Sequence, residues 1–361
     1  MRIIRLVMVC LTILNVENDA FTQPQLRVIV VGLNHDHVHG ILQEYKKQQV
    51  DIVGIVEPST ALREKYSRSY TLPDSIFYDD LKTAVSKQKP DAVLGYNAVN
   101  NHVNIVETCA PLGVAVMVEK PLAATLTQAK RIERLAKQYH IAVLTNYETT
   151  WYPSCKQIFN MVAQDSLGPI KKMVAHDGHQ GPKEIGCSEE FLAWLTDPVG
   201  NGAGAINDFG CYGSILMTWL MKGERPIAVT AVARHYKREI YSKVEDDASI
   251  IVEYPQATGL IEASWNWPFS IKDLEVFGEH GYLHAADARS VLVRMRENRQ
   301  SSVVVLPLPE AISSQLNYLA AFIHGKQEEK NDMCSLKYNM IMMEILDAAK
   351  RSAQSGKRIT L

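Results

Sequence analysis

Leu26-Arg27-Val28-Ile29-Val30-Val31-Gly32-Leu33-Asn34-His35-Asp36-His37-Val38-His39 opens with a β-branched run that breaks at a glycine. A run of this kind is a strand buried on both faces, as in a parallel sheet. Residues 39–48 follow as a helix, with Ile41, Leu42 and Tyr45 on one face. The alternation continues downstream. Residues 51–57, 76–78, 91–96, 114–119 and 141–145 read as strands. Helices open at Ser59 and Asp80 and cover residues 104–112 and 126–139. Strands and helices alternating at this spacing build right-handed βαβ units on a parallel sheet. Residues 26–145 are therefore expected to form a doubly wound nucleotide-binding domain.

The pattern then changes. Residues 170–175, 227–235, 248–254, 259–265, 274–278 and 291–295 alternate apolar and polar side chains. Such strands bury one face and wet the other, as in an open antiparallel sheet. Helices near 156–163, 189–195 and 209–221 would cover one side. The expected architecture is α/β: a parallel doubly wound sheet, then an α+β domain over residues 146–330 with a large, mostly antiparallel open sheet. Residues 335–353 form a last helix, whose Met340, Met343, Ile345, Leu346 and Ala349 mark a packed face. Residues 331–361 are expected to pack back on the first domain.

Composition bounds the partners. The chain has 361 residues, 38 basic and 40 acidic, for a net charge of −2. No positive excess exists to neutralise a phosphate backbone, so nucleic acid is not expected as a partner. No apolar run reaches the roughly 20 residues of a spanning helix. Residues 1–20 have the order of a secretory signal peptide: Arg2 and Arg5, an apolar run from Leu6 to Leu14, then a polar stretch ending at Ala20. Asn18 is an imperfect residue at its −3 position. The expected address is periplasmic or secreted. Cleavage would leave five cysteines, Cys109, Cys155, Cys187, Cys211 and Cys334, an odd number without a disulfide framework.

The turn after the first strand carries the first chemistry. A dinucleotide fold needs glycines there, so that backbone can approach a pyrophosphate at a helix N-terminus. Gly32 keeps the first glycine position, while Asn34 and His37 fill the other two. Glu57, 25 residues after Gly32, suits the adenine-ribose hydroxyls, and its charge favours NAD over NADP. A solvated loop acid is the plainer reading. His35, His37 and His39 invite a metal, but alternate residues of a tight turn diverge and no fourth ligand stands at a fixed spacing. No metal is expected. Pyrophosphate or ribose contacts, or capping of the first helix, suit these histidines better.

Val118-Glu119-Lys120-Pro121-Leu122 follows the fifth strand, where ligands bind in this fold. Lys120 can donate to a hydroxyl, or take its proton if burial lowers the amine pKa. Here the sequence resembles the Gfo/Idh/MocA family, whose most specific motif is Glu-Lys-Pro after a strand. Asp91-Ala92-Val93 with Asn101-His102 resembles that family's cofactor-contacting strand and loop. Residues 202–212, Gly-Ala-Gly-Ala-Ile-Asn-Asp-Phe-Gly-Cys-Tyr, resemble its glycine-rich stretch and Asp-x-Gly-x-His helix, with Tyr212 replacing the histidine. Glu245-Asp246-Asp247-Ala248 and Phe277-Gly278-Glu279-His280-Gly281 agree as well.

The resemblance covers about residues 26–361 and implies a Rossmann domain, an open sheet that often joins subunits, and a homodimer or homotetramer. It implies an NAD(P)-dependent oxidoreductase acting on a hydroxyl of a carbohydrate or polyol. By the same resemblance Lys120 orients and deprotonates the hydroxyl, Tyr212 exchanges the proton, and Asp208 holds substrate and tunes Lys120. A phenol beside an ammonium is expected to have a lowered pKa. Tyr212 as a buried helix aromatic and Asp208 as a helix cap are the plainer readings. Gly32, Asn34, His35, His37, Glu57, Asn97, His102, Glu119 and Lys120 are the expected cofactor residues. His176, His179, Trp151 and Trp267 are expected around the substrate, with Trp265 and Tyr147 as wall or core.

An exported dehydrogenase meets little free nucleotide, so a cofactor retained through turnover is expected. Its cycle could close on a second sugar. It could also close by transient oxidation that drives elimination of a glycosidic bond, followed by hydration and reduction. A non-catalytic sugar-binding or scaffold protein is the reading from another class, prompted by the altered glycine turn.

Overall fold

A computed structural model describes residues 25–325 and 331–361, so the leader-like residues 1–20 lie outside the described residues. The first domain runs β1 (Arg27–Val31), α1 (Val38–Lys46), β2 (Asp51–Val56), α2 (Thr60–Tyr70), β3 (Phe77–Tyr78), α3 (Leu81–Gln88), β4 (Ala92–Gly95), α4 (His102–Cys109), β5 (Ala115–Glu119), α5 (Leu126–Tyr139) and β6 (Val143–Asn146). Its six strands pair in the order β3-β2-β1-β4-β5-β6, all parallel. The two faces of β1 explain its unbroken apolar run. Val28 and Val30 join one buried cluster, while Ile29 and Val31 join another. Side chains start the helices. Ser59, Asp80 and Thr125 accept the Leu62, Thr83 and Gln128 N–H groups, each cap worth about 1 kcal/mol. Strand order reverses between β1 and β4, which opens a crevice at their carboxyl ends.

The second domain runs α6 (Pro153–Ala163), β7 (Ile170–Gly178), α7 (Glu189–Leu195), α8 (Ala205–Asp208), α9 (Gly210–Leu220), β8 (Ala228–Arg234), β9 (Asp247–Glu253), β10 (Thr258–Ser264), β11 (Ile271–Gly278), β12 (Gly281–Ala285), β13 (Val291–Met295), β14 (Ser301–Val303), α10 (Gln315–Ile323), α11 (Leu336–Ser355) and β15 (Ile359–Thr360). Nine strands form one sheet, β14-β13-β12-β11-β7-β10-β9-β8-β15. The β7–β10 pair is parallel and the others antiparallel. Three short strands, β12, β14 and β15, had no clear alternating run of their own.

Helix α9 is buried on every side, and it packs on β7 and β10. Gly213 makes that approach possible, because a Cβ there would lie 2.7 Å from the Ile261 side chain. The opposite face of the sheet stays open, with Val232, Ile251 and Phe277 exposed on it. The C-terminal part packs on both domains: the Cys334 carbonyl accepts the Thr145 N–H of β6, and Lys350 Nζ donates to the Ala124 carbonyl. Helix α11 touches α5 and β6 of the first domain, but it packs mainly on α9 and β8. The tail does not return to the first domain. After Gly356 the chain reverses, and β15 pairs with β8 at the edge of the second sheet. An edge strand has unpaired backbone groups, and a two-residue pairing satisfies some of them.

Candidate functional site

Lys120, the residue after β5, is only 6% exposed. Its Nζ donates to Asp208 Oδ1 at 2.5 Å and to the Asp208 carbonyl at 3.2 Å. Asp208 Oδ2 accepts the Trp265 Nε1–H at 2.9 Å. Asp208 therefore caps nothing: it ends α8 and holds a cation across the domain boundary. The Lys120 amine also lies 5.2 Å from the centre of the Tyr212 ring. Lys272 Nζ lies 4.7 Å from that centre. Tyr212, in the first turn of α9, is thus flanked by two ammonium groups. Glu148 holds Lys272 in an ion pair.

Protonation states follow from this packing and differ from the expected ones. Burial works against a charged Lys120, but the Asp208 carboxylate outweighs it and holds the amine above the ordinary lysine value. Burial works to raise Asp208, and Lys120 reverses that, keeping the carboxyl ionised. Tyr212 moves opposite to the expected direction. Burial, then the Glu148, Cys211, Asp208 and Glu119 charges, push the phenol well above its ordinary value. The neighbouring ammonium groups do not overcome that desolvation. Burial also lowers the His179 pKa. His179 Nδ1 accepts the Gly181 N–H at 2.9 Å, so its Nε2 carries the proton in the neutral ring. The resting site therefore presents three donors, Lys120, Tyr212 and His179, and no poised lysine or tyrosine base.

The crevice end of the site is organised around Gly32, with φ +87°. A Cβ there would lie 2.6 Å from the Asn97 Cβ, so the glycine permits contact between the β1–α1 and β4–α4 turns. Glu57 is buried: it accepts the Leu33 and Ser59 N–H groups at 2.8 Å each, which moulds the turn. His37 stands at the first-helix cap position without capping it. Instead its Nδ1 meets Glu119 Oε2 at 2.9 Å. His39 does not join the cluster, since its Nδ1 pairs with the Tyr70 hydroxyl at 2.7 Å. His102 Nδ1 meets the Leu122 carbonyl at 3.2 Å and braces the Lys120 turn.

A dinucleotide fits these residues. Asn34 Oδ1, His35 Nε2, Asn97 Oδ1, Asn100 Oδ1 and His102 Nε2 are buried without a hydrogen-bond partner. Buried polar atoms are normally satisfied, and these five, unpartnered among the described residues, belong to the turns after β1 and β4 or to the start of α4. Helix α7 straps this region from the second domain. Trp194 Nε1 donates to the Asn34 carbonyl at 2.8 Å, and Asp36 accepts from the Ser188 N–H and hydroxyl at 2.9 and 2.5 Å. A cleft of about 900 Å³ opens beside Glu119, lined also by His37, Asn146, Glu148 and Trp151.

Two expected substrate residues lie elsewhere. β7 extends to Gly178, so His176 and Asp177 belong to the strand and point to opposite faces. His176 faces the open side, where its Nδ1 meets Asp273 Oδ1 at 2.7 Å. Trp267 packs on that side against Gly178 and His176. His179, beyond the strand, turns inward against Phe209. Trp265 is the tryptophan of the site. Lys272 and Glu148 were missed, because a lone lysine in a strand and a glutamate in a turn carry no pattern.

Comparison with known proteins agrees with this geometry. Residues 26–147 match the family described as oxidoreductase family, NAD-binding Rossmann fold, and residues 155–284 match the GFO/IDH/MocA C-terminal domain. Trans-1,2-dihydrobenzene-1,2-diol dehydrogenase of Sus scrofa is 20% identical over 300 residues, 81% of this chain and 82% of that protein. Aldose-aldose oxidoreductase from Caulobacter crescentus superposes with a TM-score of 0.78 at 20% identity, covering 93% of this chain and all (100%) of that one. An inositol dehydrogenase homologue from Azotobacter vinelandii, complexed with NAD+, gives 0.80 at 17% identity, over 93% of this chain and 97% of that one. With a nucleotide domain and a C-terminal domain both matched, the chain belongs to the Gfo/Idh/MocA family of oxidoreductases.

Proposed function

We propose that this oxidoreductase interconverts a hydroxyl of a sugar, polyol or glycoside and the matching carbonyl, using NAD in preference to NADP. The observation that carries this reading is a cationic Lys120 beside an un-ionised Tyr212 at the mouth of the nucleotide crevice. Gly32, Asn34, Asn97 and Glu57 would hold the dinucleotide, which when bound supplies or accepts the hydride. Glu57 is a carboxylate where a 2′-phosphate would have to sit, which supports NAD.

The protein's own part is electrostatic. Lys120 donates to the reacting oxygen and stabilises its negative charge in a site that excludes water. Tyr212 O–H donates the proton when a carbonyl is reduced. In oxidation the Tyr212 oxygen accepts the substrate proton as its own proton leaves to solvent, a release that alkaline pH favours. Asp208 and Trp265 hold Lys120 in place. Glu119, Asn146, Glu148 and Trp151 offer hydroxyl-binding groups and an aromatic wall that suit a polyol.

The α7 strap supports a cofactor kept through turnover, and the leader-like residues 1–20 support a periplasmic or secreted address. Exposed Val232, Ile251 and Phe277 support association as a homodimer or homotetramer. The test is to give purified protein NAD+ with a panel of sugars, polyols and glycosides, and to follow nicotinamide reduction. The reading predicts oxidation of at least one neutral polyhydroxyl compound, lost in Lys120→Ala. Equal turnover in Lys120→Ala would overturn it.

A further inference from the structure

Lys272 stands on β11, in register with Asp177 of β7, so both side chains lie on the covered face of the second sheet. Its Nζ lies 4.7 Å from the centre of the Tyr212 ring, nearer than the Lys120 Nζ at 5.2 Å. We propose, on the reading of Tyr212 as the proton-exchanging group, that Lys272 held by Glu148 is a positioning residue of the reaction. It is the counter-charge that stabilises the Tyr212 oxygen while that oxygen carries negative charge.

The two lysines are not equivalent. Lys120 Nζ makes two hydrogen bonds to Asp208, and both residues are buried, so each largely cancels the other's charge. Lys272 Nζ has one hydrogen bond among the described residues, to Glu148, although an ammonium has three donors. The Glu148 side chain is 48% exposed, so water screens its charge more than that of Asp208. Glu148 Oε1 also accepts the Tyr152 O–H at 2.5 Å, which shares the carboxylate between two donors. Burial pushes the Asp177 carboxyl well above its ordinary value, and an un-ionised Asp177 leaves the Lys272 charge standing.

The other titratable groups about the phenol oppose its ionisation. Behind burial, Glu148 after β6, Cys211 in α9, Asp208 at the end of α8 and Glu119 at the end of β5 each work to raise the Tyr212 pKa. Tyr147 meets the ring edge-on at 5.8 Å, and burial pushes its own phenol well up, so it adds no charge. Lys120 and Lys272 are the cations set against these groups. Oxidation moves the substrate's hydroxyl proton to the Tyr212 oxygen and the hydride of the same carbon to the nicotinamide, leaving a carbonyl. As the earlier Tyr212 proton departs to solvent, negative charge grows on the phenol oxygen, and a cation about 4–6 Å away favours it.

The test is a titration that needs no substrate. Tyr212 is replaced by 3,5-difluorotyrosine in the full chain, and fluorine NMR follows its ionisation as pH rises, with circular dichroism marking the folded range. Lys272→Met should move that titration up by about 1–3 pH units. Glu148→Gln should move it down, the double variant should return toward the wild type, and Lys272→Arg should keep the wild-type value. A disturbed fold has no reason to give opposite signs. In turnover by the unlabelled chain, Lys272→Met should lower kcat with KM little changed, as for a charge felt only in the transition state. An unmoved titration in folded Lys272→Met, shifts of one sign in both single variants, or a label that never ionises in the folded chain would overturn the proposal. Shifts of opposite sign without turnover on any compound would support the counter-charge and overturn the reading of function, so the two fail separately.

Discussion

The two ends of the crevice are built differently. At the Lys120 end each charge has a partner: Lys120 with Asp208, Asp208 with Trp265, Lys272 with Glu148. At the Gly32 end, side-chain atoms of Asn34, His35, Asn97 and His102 are buried with none. A fully paired cluster holds its geometry before substrate arrives, which is what electrostatic catalysis needs. A cluster of unpaired polar atoms is costly unless a ligand completes it. The first end reads as chemistry and the second as binding.

Substitutions can break that contrast. Lys120→Ala should cause the largest effect. Removing one preorganised donor costs about 10²–10³-fold in kcat, and leaving Asp208 buried without its cation costs about 3–5 kcal/mol of stability. Steady-state kinetics and thermal melting would read both losses. A melting loss without a kinetic one would move Lys120 from chemistry to structure. Tyr212→Phe keeps the ring between the two lysines and removes only the hydroxyl. About 10²-fold should go from kcat, and the alkaline rise of oxidation should flatten. An unchanged pH profile would take the proton step away from Tyr212.

Asp177 sharpens the contrast by its exception. It lies on the inner face of β7, fully buried with neither carboxylate oxygen partnered among the described residues. Burial pushes its pKa well above the ordinary value. The folded state then binds a proton that the unfolded chain releases, so stability falls as pH rises above the ordinary aspartate range. Asp177→Asn should be more stable than the wild type at pH 8, by about 1–3 kcal/mol, with the gap closing below about pH 4. Denaturant melts at both pH values would show it, and a gap of the opposite sign would contradict the burial argument. The smallest effect belongs to His176→Ala, on the open sheet face. It should leave kcat/KM within about twofold of the wild type, as surface changes away from a site usually do. A large kinetic loss would mean that this face reaches the substrate.

Residue by residue, legibility followed the range of each signal. The β1 run and the alternation of β9 and β10 are local patterns, so both sheets could be read from the chain. Lys120, Asp208 and Tyr212 sit in short motifs and could be found. Lys272 and Glu148 meet across 124 positions, and no local pattern marks that meeting. His176 and Trp267 fell on the wrong face because β7 runs to Gly178, beyond the expected end at residue 175. Strand side chains alternate, so one residue's difference in parity decides the face. The Tyr212 pKa direction was misread because the resemblance put Lys120 beside the phenol, while the burial that outweighs it leaves no mark in the sequence.

The most direct measurement starts from protein purified without added nucleotide. It is denatured, the precipitate is removed, and released nucleotide is identified by mass and absorbance. The crevice geometry and the α7 strap predict near-stoichiometric NAD. No nucleotide released, and none taken up on addition, would contradict the account.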